Sequence, residues 1–241
     1  MNLKQIKWEL FESQASLDNA AAERVSLMAE ASIKARGQFH LVLAGGSTPK
    51  NVYTLLKNIS ADWHKWQIYF GDERCLEPNH QERNSTMAFE AWLNHVDIPA
   101  QNIHVIPAEL GPVEGAHLYN KTLSQLGDFD LVLLGLGEDA HTASLFPGHS
   151  WDNSLDALAV FDAPKPPSLR ISMSPARLSR SKSVLFLVSG IEKQTAINQW
   201  KAGDAIPAST VTCNDGVDAV SYTHLRAHET GRNLVCRLLL E

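Results

Sequence analysis

Short runs of β-branched and aliphatic residues, separated by segments long enough for a helix, recur along most of the chain. This alternation restricts the fold more than any other feature. The runs are Phe39–Ala44, Gln67–Phe70, Ile103–Ile106, Asp130–Leu134, Leu169–Met173 and Ser183–Val188. Between most of them lie the helix-length stretches Pro49–Lys57, Asn84–Leu93, Val113–Leu126 and Ile191–Trp200. An amphipathic stretch rich in Ala and Glu, from Asp18 to Ile33, precedes them, and Gly37 is placed to end it. Strands alternating with helices predict βαβ units, and so a single α/β domain with a mostly parallel, Rossmann-like sheet and helices on both faces. The Pro-rich stretch Ala163–Pro167 is the best internal break, but the alternation resumes beyond it, so it reads as a surface loop.

Composition narrows the classes of function. A chain of 241 residues with 44% apolar and 20% charged residues can bury a large core and is far from the balance of a disordered protein. Lys plus Arg number 21 against 27 Asp plus Glu, a net charge of −6, which argues against nucleic acid or an anionic membrane as a partner held by bulk charge. An anionic ligand therefore needs a dedicated site. Cys75, Cys213 and Cys236 have no metal-ligand spacing, and an odd count is a poor disulfide framework, so a reducing cytoplasm is expected. The first residues lack the apolar core of a signal peptide, and no apolar run approaches the ~20 residues that span a bilayer.

In open α/β sheets ligands bind beyond the carboxyl ends of the strands, so the residues that follow each apolar run carry the functional information. Four places are chemically unusual. After Leu41–Ala44 come Gly45, Gly46, Ser47, Thr48 and Pro49: glycines that let backbone approach a ligand, two hydroxyls, and a proline suited to a first helical turn. A helix N-terminus there would offer N–H groups to an anion, although an ordinary βα turn capped by Thr48 has the same composition, and the Gly-Lys-Ser/Thr ending of a Walker A loop is absent. After Gln67–Phe70 come Gly71, Asp72, Glu73 and Arg74, readable as a polar cluster at a strand end or as a solvated turn. After Asp130–Leu134 comes a glycine-rich loop that places His141 beside Glu138 and Asp139, a histidine whose ordinary pKa of ~6.5 suits proton transfer near neutrality. Arg170 and Lys193 each follow or open a β-rich run and could supply the cationic half of a phosphate site, Arg170 through a bidentate grip and Lys193 as a point charge. Gly135, Gly137 and Ala140 also mimic a dinucleotide fingerprint, with Asp162 where a ribose-binding acid would be sought. Two acids at the pyrophosphate position and Pro147-Gly148 where a long helix would be needed argue against that reading.

Together these blocks resemble the bacterial 6-phosphogluconolactonases, within the wider sugar-phosphate isomerase and deaminase-like α/β superfamily. The resemblance rests on five blocks in the family's order: 44–49, Gly71-Asp72-Glu73-Arg74 followed by Asn84-Ser85, 135–147, Arg170-Ile171-Ser172, and 189–193. One departure falls inside the longest block, where Ala140 stands in place of the family's usual glycine; a methyl there is tolerable unless the position needs a positive φ. The resemblance implies hydrolysis of 6-phospho-glucono-1,5-lactone without metal or organic cofactor; separately, a monomer or weak homo-oligomer is expected. It implies a phosphate held by the Gly45, Gly46, Ser47 and Thr48 loop with Arg170 and Lys193, and His141 as general base on water with Asp139 orienting the imidazole. Arg74 is expected to stabilise charge on the carbonyl oxygen, while Asp72 and Glu73 bind sugar hydroxyls or position Arg74. An amino-sugar-phosphate deaminase or isomerase of the same fold is a rival, but that group typically shows Asp-Glu-Tyr where this chain has Asp72-Glu73-Arg74, and a Glu where it has Leu145-Phe146-Pro147. A non-catalytic sugar-phosphate sensor is the other rival, and no helix-turn-helix segment or basic patch accompanies it.

From Ser221 the sequence leaves the family's pattern, which would finish on a short apolar, acid-containing segment. Residues 221–241 resemble the translation of a transposase-type sequencing-library adaptor, so the expected organisation is one domain over 1–220 followed by a non-native tail over 221–241. His224 and His228, spaced i, i+4 in that tail, are given no metal-binding role.

Overall fold

The computed structural model describes residues 6–213 and 216–222. In chain order the elements are β1 (Lys7–Leu10), α1 (Gln14–Arg36), β2 (Phe39–Leu43), α2 (Ser47–Leu56), β3 (Trp66–Phe70), β4 (Asp72–Arg74), α3 (Asn84–Ala91), β5 (Ile103–His104), α4 (Pro112–Ser124), β6 (Phe129–Gly135), β7 (Ala157–Val160), β8 (Arg170–Met173), α5 (Pro175–Ser179), β9 (Ser181–Ser189), α6 (Gln194–Ala202) and β10 (Val217–Tyr222). Helix α1 starts earlier than its apolar stripe because Ser13 caps it: the Ser13 hydroxyl accepts from Ser16 N–H at 3.1 Å, and the Ser16 hydroxyl accepts from Ser13 N–H. It ends at Gly37, whose φ of 82° lets its N–H reach the Ile33 carbonyl.

Seven strands form one sheet in the order β1-β10-β9-β6-β2-β3-β5, and every adjacent pair is parallel. The connections through α1, α2 and α3 run toward β5, while those through α4, α5 and α6 run back toward β1. With right-handed crossovers the two groups of helices cover opposite faces, as the alternation predicts. The first six residues of β6 are buried in an unbroken run, which only a strand covered on both sides allows. On the α2 and α3 side, Phe39, Tyr53, Trp63, Trp66 and Trp92 interlock, with ring centroids from 4.8 to 5.9 Å apart.

A second sheet corrects two expectations. Leu169–Met173 does not join the parallel sheet; its core, β8, lies between β4 and β7 in a three-stranded antiparallel sheet. Asp72–Arg74, read as part of a loop, is β4, paired as Asp72 with Ser172, Glu73 with Ile171 and Arg74 with Arg170. A three-residue polar strand carries no usable periodicity, and its pairing comes from a partner almost a hundred residues away. The Pro-rich stretch is the connection between β7 and β8, and it contains the cis Pro166–Pro167 peptide. Strand β10 includes Ser221 and Tyr222, the first two residues of the segment that departs from the family pattern, with Ser221 in register with Leu10 and Val188. His224 and His228 lie outside the described residues. No helix among the described residues is long and apolar enough to cross a membrane.

Candidate active site

The strand order reverses direction between β6 and β2: the chain leaves β2 toward β5 and leaves β6 toward β1. The crevice at the carboxyl ends of two such strands is where ligands bind in open α/β sheets. Here it is bounded by Gly45–Thr48 after β2 and by 136–146 after β6. Lys193, in a turn after β9, is one strand further along, so two strand spacings, roughly 10 Å, separate the ends of β9 and β2. The small sheet, through Gly71 and β4, continues from β3 on the other side.

The loop after β2 is built to present backbone. Gly46, with φ 109°, and not Thr48, is the N-cap of α2, and no described side chain caps the helix. Ser47 and Thr48 therefore occupy the first turn, where their N–H groups have no intrahelical acceptor and face the positive end of the helix dipole. The loop is held from beneath by Tyr53, whose buried hydroxyl accepts from Ala44 N–H at 2.9 Å and donates to the Ala44 carbonyl at 2.8 Å. Tyr119 does the same at the end of β3, bonding Phe70 N–H at 3.1 Å and the Phe70 carbonyl at 3.0 Å. Burial pushes both phenols far above the ordinary tyrosine range, so they act as fixed neutral hydrogen-bonding groups.

The loop after β6 brings His141 and Asp139 together. His141 Nδ1 is 2.5 Å from Asp139 Oδ1, and the same oxygen accepts from His141 N–H at 3.2 Å. Partial burial opposes ionisation of Asp139, but the hydrogen bonds and charge of His141 hold its carboxyl below the ordinary value. The Asp139 carboxyl is therefore ionised at neutral pH, and that charge is lost only as pH falls through the lowered value. The Phe146 ring packs 4.8 Å from the imidazole. Gly137 is required by this geometry, because a Cβ there would collide with the His141 ring and the Asp139 carboxylate. Glu138 turns away and lies 3.5 Å from Lys165. No helix follows β6 before β7, so the fingerprint formed by Gly135, Gly137 and Ala140 lacks the helix N-terminus that dinucleotide binding needs.

Ala140 adopts φ 67°, so the departure from glycine falls at a position that does need a positive φ. A left-handed L-residue costs ~1–2 kcal/mol, while burying its methyl, here 1% exposed, returns ~0.8 kcal/mol. Ala140→Gly is accordingly expected to stabilise the protein by no more than about 1 kcal/mol, a rise of about 2–4 °C in thermal denaturation. A loss of stability would mean that the methyl's packing outweighs the strain.

The polar cluster after β3 is divided by burial. Glu73, 0% exposed, accepts from Arg74 N–H at 2.9 Å, Asn84 N–H at 2.7 Å and Ser85 N–H at 2.8 Å, with Arg83 Nε at 3.5 Å. It caps α3 and anchors the Arg74 backbone; contact with sugar hydroxyls is excluded by its burial. Arg74 donates to the Glu82 carbonyl and sits directly across from Arg170. Like charges placed opposite each other repel, and an anion or an electron-rich oxygen between them would relieve that repulsion. Arg170 is 6% exposed; its Nε binds the Pro167 carbonyl at 3.0 Å and one Nη binds that of Lys165 at 2.8 Å. The bidentate grip expected of it is thus committed to the β7–β8 connection, leaving one terminal nitrogen without a hydrogen-bond partner among the described residues. Burial, aided by Arg74 and opposed by Asp72, lowers its pKa from the ordinary arginine value. Lys193 has its nearest acid, Glu192 Oε1, at 3.9 Å. Among the described residues no group of three or more His, Cys, Asp or Glu side chains is placed to hold a metal.

Tyr53 and Tyr119 carry no motif in the sequence, and Ser144 and Asn84 stand inside or beside the motifs with nothing local to give them a role. Ser144 and Asn84 converge on Asp72: the Ser144 hydroxyl donates to Asp72 Oδ2 at 2.6 Å, and Asn84 Nδ2 donates to Asp72 Oδ1 at 3.0 Å and to the Asp72 carbonyl at 2.9 Å.

A doubly wound parallel sheet, an uncapped helix N-terminus at its switch point and a His–Asp pair on the neighbouring strand define an α/β protein with a crevice suited to a small anion beside an acid-base group. The family model described as glucosamine-6-phosphate isomerases/6-phosphogluconolactonase matches residues 12–220, and the chain belongs to that family. A 6-phosphogluconolactonase of Nostoc sp. is 37% identical over 211 residues, covering 82% of this chain and 85% of that one. One of Mycobacterium tuberculosis is 37% identical over 209 residues, covering 78% and 83%. Among solved structures, 6-phosphogluconolactonase from Trypanosoma cruzi superposes with a TM-score of 0.82 at 25% identity, covering 91% of this chain and 95% of that one.

Proposed function

We propose that this protein hydrolyses 6-phospho-D-glucono-1,5-lactone to 6-phospho-D-gluconate in the oxidative pentose phosphate pathway, as a cytoplasmic enzyme without cofactor, a monomer or weak homo-oligomer. The observation that carries the reading is the His141–Asp139 pair at the carboxyl end of β6, one strand from the anion-presenting start of α2. Relatives at 37% identity bearing that name support it.

The chemistry follows from which ring nitrogen is occupied. With Nδ1–H directed at Asp139, His141 Nε2 is the bare nitrogen and takes a proton from water. The resulting hydroxide forms a C–O bond to the lactone carbonyl carbon, and charge gathers on the carbonyl oxygen, where the Arg74 guanidinium stabilises it. As the tetrahedral intermediate collapses, the bond from that carbon to the ring oxygen breaks, and the imidazolium returns its proton to the departing oxygen. Asp139 stabilises the imidazolium between the two steps. Gly45, Gly46, Ser47 and Thr48 hold the phosphate through backbone N–H groups and hydroxyls, with Lys193 and the uncommitted nitrogen of Arg170 completing its neutralisation. Asp72 serves from within the protein. A lactone hydrolyses spontaneously, so the protein needs neither a covalent nucleophile nor a metal-bound hydroxide.

The purified protein is expected to hydrolyse the lactone well above the spontaneous rate in an assay coupled to 6-phosphogluconate oxidation, and to leave glucosamine 6-phosphate unchanged. Release of ammonia from glucosamine 6-phosphate, or lactone binding without turnover, would replace this reading by the deaminase or the sensor.

A further inference from the structure

Both carboxylate oxygens of Asp72 are engaged within the protein. It is 6% exposed, its Oδ2 is taken by Ser144 and its Oδ1 by Asn84, and both partners are themselves buried. The two partners belong to the two walls of the crevice. Ser144 lies three residues beyond His141, in the loop after β6; its N–H is tied to the Ser172 hydroxyl at 3.2 Å. Asn84 opens α3, and its carboxamide fills the space beside Gly45 so closely that a Cβ on that glycine would overlap the Asn84 oxygen. No basic side chain forms a salt bridge with the Asp72 carboxylate among the described residues. The carboxylate is thus a short connector between the wall that carries the histidine and the wall that presents the anion-binding backbone.

We propose that Ser144, Asp72 and Asn84 form a strut that sets the distance between the His141 loop and the Gly45–Thr48 loop, making Ser144 and Asn84 positioning residues for lactone hydrolysis. The inference rests on the assignment of those loops to proton transfer and phosphate binding. Each end of the strut governs a different quantity. Loosening the Ser144 end shifts His141 relative to the carbonyl and acts on kcat, whereas loosening the Asn84 end shifts the phosphate loop and acts on KM and on anion affinity. A displacement near 1 Å at a reacting group costs on the order of 10²-fold in rate.

Steady-state kinetics on the lactone and calorimetric titration with inorganic phosphate test the strut together. Ser144→Ala is expected to lower kcat by about 10–100-fold with KM and phosphate affinity within about threefold of the parent. Asn84→Ala is expected to raise KM and weaken phosphate binding by about tenfold, with kcat within about threefold, since one charge-assisted hydrogen bond is worth roughly that factor. Ser144→Cys and Asn84→Leu keep the approximate shape of each side chain while weakening or removing its hydrogen bond; they should follow the alanine variants in kinetics with a smaller loss of thermal stability, and they replace them if the alanine variants do not fold. The strut is overturned if these variants change thermal stability alone, with kcat and KM within about twofold of the parent. It is equally overturned if Asp72→Asn abolishes turnover while Ser144 and Asn84 variants remain fully active, because Asp72 would then touch the substrate. Should the parent protein show no lactone turnover, the proposed reaction fails, while the phosphate titration of the Asn84 variants still decides the strut.

Discussion

His141→Ala is expected to lower kcat for the lactone by about 10²–10⁴-fold, the range that a positioned acid-base group supplies, while 6-phosphogluconate binds within about threefold of the parent. The separation of the two effects follows from topology. His141 belongs to the loop after β6, whereas the proposed anion site is the backbone at the start of α2, which Tyr53 supports independently through both polar groups of Ala44. The side chain is 23% exposed and its one hydrogen-bonding partner among the described residues is the neighbouring Asp139, so its removal opens no large cavity. The fold should survive, and circular dichroism with product titration verifies that before the rate is read. A variant that keeps more than about a tenth of the parental kcat would remove His141 from the proton-transfer step.

Glu73→Ala is expected to destabilise the protein by about 3–5 kcal/mol, the penalty for stripping one partner from a buried ion pair. Arg83, 3% exposed, would keep Glu109 at 3.0 Å and the Ile106 carbonyl at 2.9 Å but would lose its buried counter-ion. The amides of Asn84 and Ser85 at the start of α3 would lose their shared acceptor at the same time. Against a total stability of ~5–15 kcal/mol for a folded domain, this loss is large enough to leave part of the population unfolded. It corresponds to a fall of roughly 6–20 °C in thermal midpoint for a chain of this size. Glu73→Gln keeps one carbonyl oxygen as acceptor and should cost less. Chemical denaturation of the two variants measures both values; a loss below about 1 kcal/mol for the alanine variant would show that Glu73 does not carry the start of α3.

The parts of the site that could be read in advance are those whose residues are close in sequence. Asp139 and His141 are two positions apart, so a local motif specifies their contact, and the same holds for Gly45–Thr48 opening α2. The remaining contacts join distant segments. Ser144 meets Asp72 across 72 positions and Tyr119 meets Phe70 across 49, and no spacing rule connects such pairs. Glu73 shows a second reason. In sequence it is one of three charged residues in a row, and nothing local distinguishes the acid that will be fully buried from its neighbour Arg74. Ala140 is a case in which the question was legible but the answer was not: the sequence shows a methyl in a glycine-rich turn, and only the backbone reveals φ 67°.

The alternation of apolar runs with amphipathic stretches was enough to specify parallel strands buried under helices on both faces, because hydrophobic periodicity is a local property and burial on two faces demands it. It also placed the glycine-rich turns at strand ends, where an open sheet exposes its ligand crevice. Strand order is not local. The reversal between β6 and β2 that brings the histidine loop beside the anion loop depends on pairings between segments some ninety residues apart, as does the enlistment of β4 and β8 into a separate antiparallel sheet. Those pairings turn a set of motifs into one site with fixed distances, and they arise from packing that only the assembled chain can supply.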